Sequence, residues 1–312
     1  MVKVTIHWVR HGESCSNVGD LSDKLKHPPL TNKGIEQAKY LGKHYLNNNY
    51  DIIFSSPLIR TLMTCFHSIG ESNNNPVEGM APKEKTTIFL NPNIAEKPDF
   101  GAYLGSTQNA IISPSVLKKF METFTTTYNN LNFDLNYKYL PESNNYKEYN
   151  DKSNIERNIN NFYEQIKRNS KLQEKKEVKI LCFAHGGIIK DIYEHRTHSK
   201  FTQKIINPNS IISVKDNELF NTQIVEEVYN IVGSETEINI KFNKDSINLN
   251  LNGKIYNPLE HYKEFTNFIK NNKHINVNCN QELFDKTKDL GRLKYLKYKN
   301  KYLRLKKQLN LL

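Results

Sequence analysis

Residues 178–187 read VKILCFAHGG and contain the clearest structural signal in the chain. The run VKILCF is short and mostly apolar, which is typical of a buried strand. It ends at His185-Gly186-Gly187, and a helix is predicted from Ile188 to His195. A strand that passes through a glycine turn into a helix indicates one unit of a parallel sheet.

The same order of strand, turn and helix recurs along the chain. Strands are predicted at 3–9, 52–54, 86–90, 211–214 and 222–229. Helices are predicted at 32–47, 58–69, 154–172 and 188–195. This alternation predicts an α/β fold, a three-layer α/β/α sandwich with a mostly parallel central sheet.

The C-terminal part has a different pattern. Two alternating runs, INIKF and INLNL, lie within 237–255 and predict a β-hairpin, which a helix at 259–270 follows. We therefore expect a catalytic domain at 1–231, a β-hairpin/helix extension at 232–290 and a separate tail at 291–312. Within the first domain, residues 98–150 are rich in Asn and Tyr, show only a helix at 115–128, and are predicted to form a lid.

Charge and cysteine content limit the classes of protein. The net charge is +11, and eight of the 44 Lys and Arg residues lie in 292–312, which has no acidic residue, so the tail carries +8 and the rest +3. No apolar run is long enough to span a membrane, and the N-terminus lacks the pattern of a signal peptide, which favours an intracellular location. The four cysteines are scattered and predict neither a disulfide scaffold nor a cysteine zinc site, as in a reducing compartment.

Several cationic side chains follow predicted strands directly. Arg10 and His11 come after the first strand, His185 follows the strand quoted above, and Arg60 lies just beyond Ser55-Ser56-Pro57. In an open α/β sheet, ligands bind at the carboxyl ends of the strands. Two arginines and two histidines at that edge predict a pocket for phosphate, which the guanidinium fork suits.

Four motifs carry a resemblance to a known family. They are VRHGES with Asn17, LTNKGIEQA at 30–38, SSPLIRTLMT at 55–64 and AHGG at 184–187. With these four motifs in this order, the chain resembles the histidine phosphatase superfamily, the phosphoglycerate mutase-like group, over residues 1 to about 215. The resemblance implies the fold of that group and a phosphohistidine intermediate.

The resemblance also implies roles for individual residues. His11 would be the nucleophile, His185 its catalytic partner and Glu96 the proton donor, with Asp99 as the fallback. The residues expected to bind phosphate are Arg10, Asn17, Arg60 and Gly186, although Asn17 is also a candidate for capping a turn. The cations neutralise the phosphoryl oxygens, so no metal or cofactor is expected.

Other residues near these motifs have structural interpretations. Thr31, Gly34, Gln37 and Ala38 are expected to cap and pack a helix rather than bind substrate. Cys15 is expected to be a small filler, and His7 a packed or exposed side chain.

Three functions remain open at this point. The first is a metal-independent phosphohydrolase that acts on phosphomonoesters, either phosphorylated small molecules or phosphoproteins. The second is a phosphoglycerate mutase-type phosphotransferase, which is disfavoured because residues 98–150 contain no arginine and lack the E-R-x-Y-G segment of such mutases. The third is a non-catalytic phosphate-binding module, anchored by its basic tail.

The tail has a heptad pattern on a basic background. Its apolar positions, at 3-4-3-4-3 spacing, are Tyr295, Tyr298, Tyr302, Leu305, Leu309 and Leu312. This spacing predicts an amphipathic helix that docks on its own domain, self-associates, or binds an acidic partner or nucleic acid. The segment KYLKYKNKYLRLK also resembles C-terminal tails of proteins from large nucleocytoplasmic DNA viruses, which implies a viral source.

Overall fold

The computed structural model describes residues 1–18, 28–46, 49–74, 86–96, 133–140, 154–169, 172, 174–201, 219–233, 236–243, 249–251, 254–272 and 279. A seven-stranded sheet forms the centre, in the order β4-β3-β2-β5-β1-β6-β7. Its strands are β1 (Val2–Arg10), β2 (Ile52–Ser55), β3 (Thr86–Leu90), β4 (Phe133–Asn136), β5 (Glu177–Ala184), β6 (Ile224–Val232) and β7 (Thr236–Asn243). The first five are mutually parallel, and β6 and β7 add antiparallel at one edge.

Strand β5 is buried on both faces because helices cover both sides of the sheet. Leu181 and Phe183 pack on one side with α1 (Asn32–His44) and α2 (Ile59–Asn74). Ile180 and Cys182 pack on the other side with α3 (Ile155–Lys167) and α4 (Gly186–Thr197). The continuous apolar run that the sequence shows is thus the signature of a strand between two helical layers. The predicted three-layer α/β/α sandwich with a mostly parallel sheet is confirmed.

The C-terminal extension pairs differently from the prediction. The strand that contains INIKF is β7, and it pairs with β6 in the central sheet instead of with INLNL. INLNL contributes β8 (Leu249–Leu251), which pairs with β9 (Lys254–Tyr256) in a separate two-stranded sheet. Alternation shows which residues share a face but not which strand is the neighbour, so the predicted partner was wrong. The predicted helix is present as α5 (Pro258–Asn271).

The segment predicted to be a lid contributes to the sheet. Strand β4 lies within 98–150 and pairs in parallel with β3 at the edge of the sheet. The predicted helix at 115–128, the predicted strand at 211–214 and the tail at 291–312 lie outside the described residues.

One pair of cysteines contradicts the expectation that Cys15 is only a small filler. Cys15 and Cys279 form a disulfide across a sequence separation of 264, whereas Cys65 and Cys182 are free and buried. The scattered spacing was misleading because the fold brings distant segments together. Within the ranges given above, no helix has the length and apolar character needed to cross a bilayer.

Candidate active site

The carboxyl ends of four neighbouring strands form one site. Strand β1 ends at Arg10 and leads to His11, and β5, its neighbour, leads to His185. Strand β2 leads through Ser56 to Arg60, in the first turn of α2. The loop after β3 brings Glu96 to the same edge. The structure thus brings together the histidines, arginines and glutamate that the sequence singles out.

His11 is buried and has a defined tautomer. Its Nδ1 lies 2.7 Å from the carbonyl oxygen of Gly12. A carbonyl oxygen only accepts hydrogen bonds, so Nδ1 carries the proton. The lone pair is therefore on Nε2, the nitrogen available as a nucleophile.

The surroundings keep His11 neutral. Burial lowers its pKa well below the usual value, and the positive charges of Arg60 and Arg10 lower it further. A neutral imidazole is the nucleophilic form, so this environment suits attack on phosphorus across the neutral pH range.

His185 lies beside His11, with ring centroids 5.1 Å apart. Its Nε2 lies 2.9 Å from the hydroxyl oxygens of both Thr61 and Ser56. If one hydroxyl donates to Nε2, the proton of the neutral ring is on Nδ1, which is buried and has no hydrogen-bond partner among the residues that the structure describes. Burial lowers the pKa of His185 well below its usual value, followed by the charges of Arg60, His11 and Arg10. Nδ1–H is then available to donate a hydrogen bond to a bound anion.

Arg60 supplies a buried positive charge. Burial lowers its pKa to about 10, a change that Glu96 opposes and Arg10 reinforces. It therefore stays protonated at neutral pH. A guanidinium with little water around it binds a phosphate dianion more strongly than an exposed one does.

Glu96 faces the two histidines from the loop after β3. One of its carboxylate oxygens, Oε2, lies 3.6 Å from Nδ1 of His185. A 3₁₀ turn at Pro92–Ile94 shapes this loop, and Asn91 caps it by accepting from the N–H of Asn93. Asn91 also donates to Gln165 of α3 at 2.7 Å, which ties the loop to the sandwich. Asp99, the fallback proton donor, lies outside the described residues.

The loop that follows His11 packs tightly against the start of α1. A Cβ on Gly34 would lie 1.9 Å from the carbonyl oxygen of Glu13, so only glycine permits this approach. Thr31 caps α1 by accepting from the N–H of Gly34, and Gln37 accepts from the N–H of Glu13 at 2.7 Å. Ala38 is buried in the same helix. The structural interpretation of this motif is confirmed.

Two predicted phosphate ligands have structural contacts of their own. Oδ1 of Asn17 accepts from the backbone N–H and the hydroxyl of Ser14, which is the turn-capping alternative. Gly186 is the first residue of α4, and a Cβ there would lie 3.3 Å from Nε of Arg10. A phosphate contact by either residue stays a prediction.

Sequence reasoning did not single out several residues that shape the site. Ser56 and Thr61 belong to the quoted SSPLIRT segment, but their contact with His185 spans more than 120 positions. The sequence predicts Gly187 only as part of a turn, yet a Cβ there would lie 2.4 Å from Oε1 of Glu96. Two consecutive glycines after His185 are the one local signal in the sequence for such a close approach.

The donor set also has the composition of a metal site. Ligand atoms of His11, Glu96 and His185 lie within 4.8 Å of one another. Ligands about 2.0–2.1 Å from a tetrahedral zinc ion lie about 3.3 Å apart, so binding would require these side chains to move inward. The charges of Arg10 and Arg60 beside them favour an anion over a cation.

Comparison with known proteins points to one superfamily. Residues 6–81 match the family model described as histidine phosphatase superfamily (branch 1). A 2,3-bisphosphoglycerate-dependent phosphoglycerate mutase of Rhizobium meliloti (strain 1021) is 36% identical over 86 residues, or 26% of this chain and 41% of that protein. Phosphoserine phosphatase 1 of Hydrogenobacter thermophilus is 39% identical over 74 residues, or 24% of this chain and 34% of that protein.

The matches cover only part of these proteins. The chain spans 17%, 41% and 34% of the length of three curated mutases that it matches. A phosphoglycerate mutase structure from Bacillus anthracis str. Sterne aligns with 78% of this chain and 94% of its own, at 15% identity and a TM-score of 0.43. The family-model match and the curated relatives support a place in the histidine phosphatase superfamily, whose members are phosphatases or mutases.

Proposed function

We propose that this protein is a phosphohydrolase that cleaves phosphomonoesters through a phosphohistidine on His11. The observation that supports this most is the state of His11, a buried, neutral imidazole whose Nδ1 proton is held by Gly12. This arrangement points the basic nitrogen, Nε2, toward a site that Arg60 makes positive. The substrate class is a phosphorylated small molecule or phosphoprotein, and one relative is named a phosphoserine phosphatase.

The first step forms a covalent intermediate. Nε2 of His11 attacks the phosphorus atom, and the bond from phosphorus to the leaving oxygen breaks. The positive charges of Arg10 and Arg60 and a hydrogen bond from Nδ1–H of His185 stabilise the phosphoryl oxygens as charge develops on them. Protonated Glu96 gives its proton to the leaving oxygen, so the product departs as an alcohol.

The second step releases phosphate. A water molecule loses a proton to the Glu96 carboxylate and attacks phosphorus from the side that the alcohol has left. The bond between phosphorus and Nε2 breaks, and His11 returns to its neutral form. Each group ends in its starting protonation state, and neither step requires a metal ion.

The test is hydrolysis of p-nitrophenyl phosphate with EDTA present, between about pH 4.5 and 8. Wild type is expected to turn over, His11→Ala to lose turnover, and His195→Ala to retain it. His195, on α4, contacts Asn160 and not the site, so it is a matched control for loss of an imidazole. Turnover that survives in His11→Ala, or disappears in EDTA, would contradict the proposal.

A mutase is the second candidate because seven curated relatives are named 2,3-bisphosphoglycerate-dependent phosphoglycerate mutases. A mutase must retain a bisphosphate intermediate while that intermediate reorients in the site. This calls for more cationic side chains than residues 98–150 provide. Incubation with 3-phosphoglycerate and 2,3-bisphosphoglycerate separates the two activities. Release of inorganic phosphate supports the hydrolase, and isomerisation to 2-phosphoglycerate without release supports the mutase.

The basic tail at 291–312 is proposed to anchor the protein to an acidic partner or nucleic acid, or to mediate self-association. Its +8 charge and heptad spacing support this, and its composition also supports the proposed viral source. Deletion of 292–312 is expected to leave turnover of p-nitrophenyl phosphate unchanged. Loss of turnover would contradict this division of roles.

The third candidate is the non-catalytic module. A wild-type protein that binds phosphate but does not hydrolyse p-nitrophenyl phosphate would favour it.

A further inference from the structure

A loop remote in sequence holds the catalytic end of β1. In this 219–223 loop, the carbonyl oxygen of Leu219 accepts from Nη1 of Arg10. The N–H of Thr222 donates to the carbonyl oxygens of Arg10 and His11, at 3.0 and 3.4 Å. The carbonyl oxygen of Gln223 accepts from the N–H of Arg10 at 3.1 Å. The position of the nucleophile therefore depends on where this loop lies.

The C-terminal extension contacts this loop at three successive points. The hydroxyl of Tyr256, in β9, accepts from the N–H of Ile224 at 3.0 Å, directly after the loop. The ring of Tyr262, in α5, stacks on Phe220 with centroids 4.7 Å apart and an interplanar angle of 23°. His261, also in α5, reaches the hydroxyl of Thr222. We call β9 and α5 the C-terminal clamp.

The contact between His261 and Thr222 has a defined direction. The Thr222 hydroxyl gives its one proton to the carbonyl oxygen of Asn221 at 2.7 Å. It must therefore accept at its second contact, so Nε2–H of His261 is the donor, at 3.3 Å. Both side chains are buried, at 3% and 1% exposure, so water does not compete for this bond.

Thr222 also has a backbone conformation that needs support. Its φ is +61°, in the left-handed region that β-branched residues rarely adopt. Such a conformation costs free energy and persists only where the surroundings of the residue hold it. From this conformation the N–H of Thr222 reaches the carbonyl oxygens of Arg10 and His11. Contacts that hold Thr222 in place therefore also hold the backbone of His11.

We infer that the C-terminal clamp positions the nucleophile, with His261 and Tyr262 acting through the 219–223 loop on Arg10 and His11. The inference rests on the proposed phosphohydrolase activity and adds positioning residues to it. The clamp lies outside the segment that matches the family model, residues 6–81. Displacement of a catalytic group by about 1 Å from a remote change can lower the rate by about 100-fold.

The test compares three variants of α5 in the full-length protein. His261→Phe keeps an aromatic ring but removes the donor to Thr222, and His261→Gln restores a donor of similar reach. The matched control is Glu264→Ala, which removes the acceptor of the Tyr40 and Tyr45 hydroxyls and so weakens the contact of α5 with α1 without touching the 219–223 loop. For each we would measure kcat and KM for p-nitrophenyl phosphate, the inhibition constant of inorganic phosphate, and the unfolding temperature.

Positioning and simple stability give different results. We expect His261→Phe to lower kcat about 10- to 100-fold and to weaken phosphate inhibition, with partial recovery in His261→Gln. Glu264→Ala is expected to lower the unfolding temperature while kcat stays near the wild-type value. A His261→Phe protein that is folded at the assay temperature with wild-type kcat would overturn the inference. So would a fall in kcat that follows the unfolding temperature equally in all three variants.

A separate measurement keeps this inference independent of turnover. If wild type does not hydrolyse p-nitrophenyl phosphate, the proposed function fails, and calorimetric binding of orthovanadate to wild type, His261→Phe and Glu264→Ala becomes the test. Weaker vanadate binding by His261→Phe than by Glu264→Ala would support positioning by the clamp. Equal affinities would overturn it.

Discussion

At Gly187 the space that a side chain would occupy is taken by the carboxylate of Glu96. A Cβ there would approach Oε1 to 2.4 Å, whereas a Cβ on Gly186 would meet Nε of Arg10 at 3.3 Å. The two adjacent glycines therefore serve different groups. Gly187 leaves room for the proposed proton donor, and Gly186 leaves room for a proposed phosphate ligand.

Gly187→Ala is expected to displace Glu96, the flexible partner, without loss of the fold, since alanine favours a helix. A general acid contributes roughly 10²–10⁴-fold, mainly for leaving groups that need a proton. The variant should therefore lose about 10- to 100-fold in kcat/KM on phosphoserine and much less on p-nitrophenyl phosphate. Gly186→Ala should affect both substrates alike. Equal losses on both substrates in Gly187→Ala would contradict the assignment of Glu96.

The charge of Arg60 should be visible in the titration of His11. Burial and then Arg60 lower the pKa of His11, so Arg60→Gln is expected to raise this pKa toward, but not to, its usual value. Neutral His11 is the nucleophile, so activity falls as the pH drops through this pKa. The acid limb of kcat/KM should therefore move to higher pH. Proton NMR of the imidazole checks the shift, and Arg157→Gln, an exposed arginine on α3, should leave it unchanged.

The sequence predicts the position of a site residue well where that residue belongs to a motif, and poorly where its role depends on a long-range contact. His11, Arg60 and His185 follow predicted strands, and the parallel sheet brings them together. Thr222 is predicted to begin a strand, but it has a positive φ and β6 begins at Ile224. The prediction was wrong there because nothing in its local sequence indicates a positive φ or a contact with Arg10 and His11. The role of such a residue depends on its tertiary contacts, and a single sequence does not show which residues are in contact.

At the scale of elements, β6 is joined to α3 and α4 by a buried ion pair. Glu227 is fully buried and accepts from Trp8 Nε1 at 3.0 Å, Tyr163 hydroxyl at 2.6 Å and Arg196 Nε at 3.0 Å. Burial raises the pKa of Glu227, and the positive charge of Arg196 opposes that rise. The guanidinium of Arg196 also lies over the ring of Tyr163, 4.0 Å from its centroid.

Arg196→Met is expected to lower the free energy of unfolding by about 3–5 kcal/mol, because it leaves a buried carboxylate without its counter-charge. The double variant Arg196→Met/Glu227→Leu should recover part of this loss, since it removes both charges. Urea unfolding followed by circular dichroism measures all three proteins. A double variant no more stable than Arg196→Met would contradict this account.

Elements were predicted with uneven success for a physical reason. The bounds of β3 and the place of α5 follow from local periodicity alone. The partner of β7 does not, because β6 and β8 both present a suitable alternating edge. Hydrogen bonding in the whole sheet decides between them.

At the scale of the whole molecule, the disulfide joins the loop after the nucleophile to a residue beyond α5. Cys15 lies four positions after His11. The backbone of Cys279 also pairs with that of Thr31, the N-cap of α1, in an isolated antiparallel β-bridge. A cross-link over 264 residues restricts the unfolded chain strongly. In the chain-entropy account such a loop contributes roughly 5 kcal/mol, and measured values are commonly 2–4.

Cys279→Ser is therefore expected to lower the free energy of unfolding by about 2–5 kcal/mol. Reductant should lower the stability of wild type by a similar amount and leave Cys279→Ser unaffected, since Cys65 and Cys182 are buried free thiols. Thiol titration of the unfolded protein counts the pair directly. Four reactive thiols in unreduced wild type would contradict the disulfide.

The strand order has a consequence for how the chain acquires its site during synthesis. Strand β1 is made first but lies between β5 and β6, with Lys3 opposite Glu177 and Asn230. At about 5–20 residues per second, a ribosome needs roughly 10–35 s after β1 to complete β5. Throughout that interval the nascent chain carries its nucleophile without the strand that brings His185 beside it. Recognition of phosphate by both histidines therefore cannot begin before β5 has been translated.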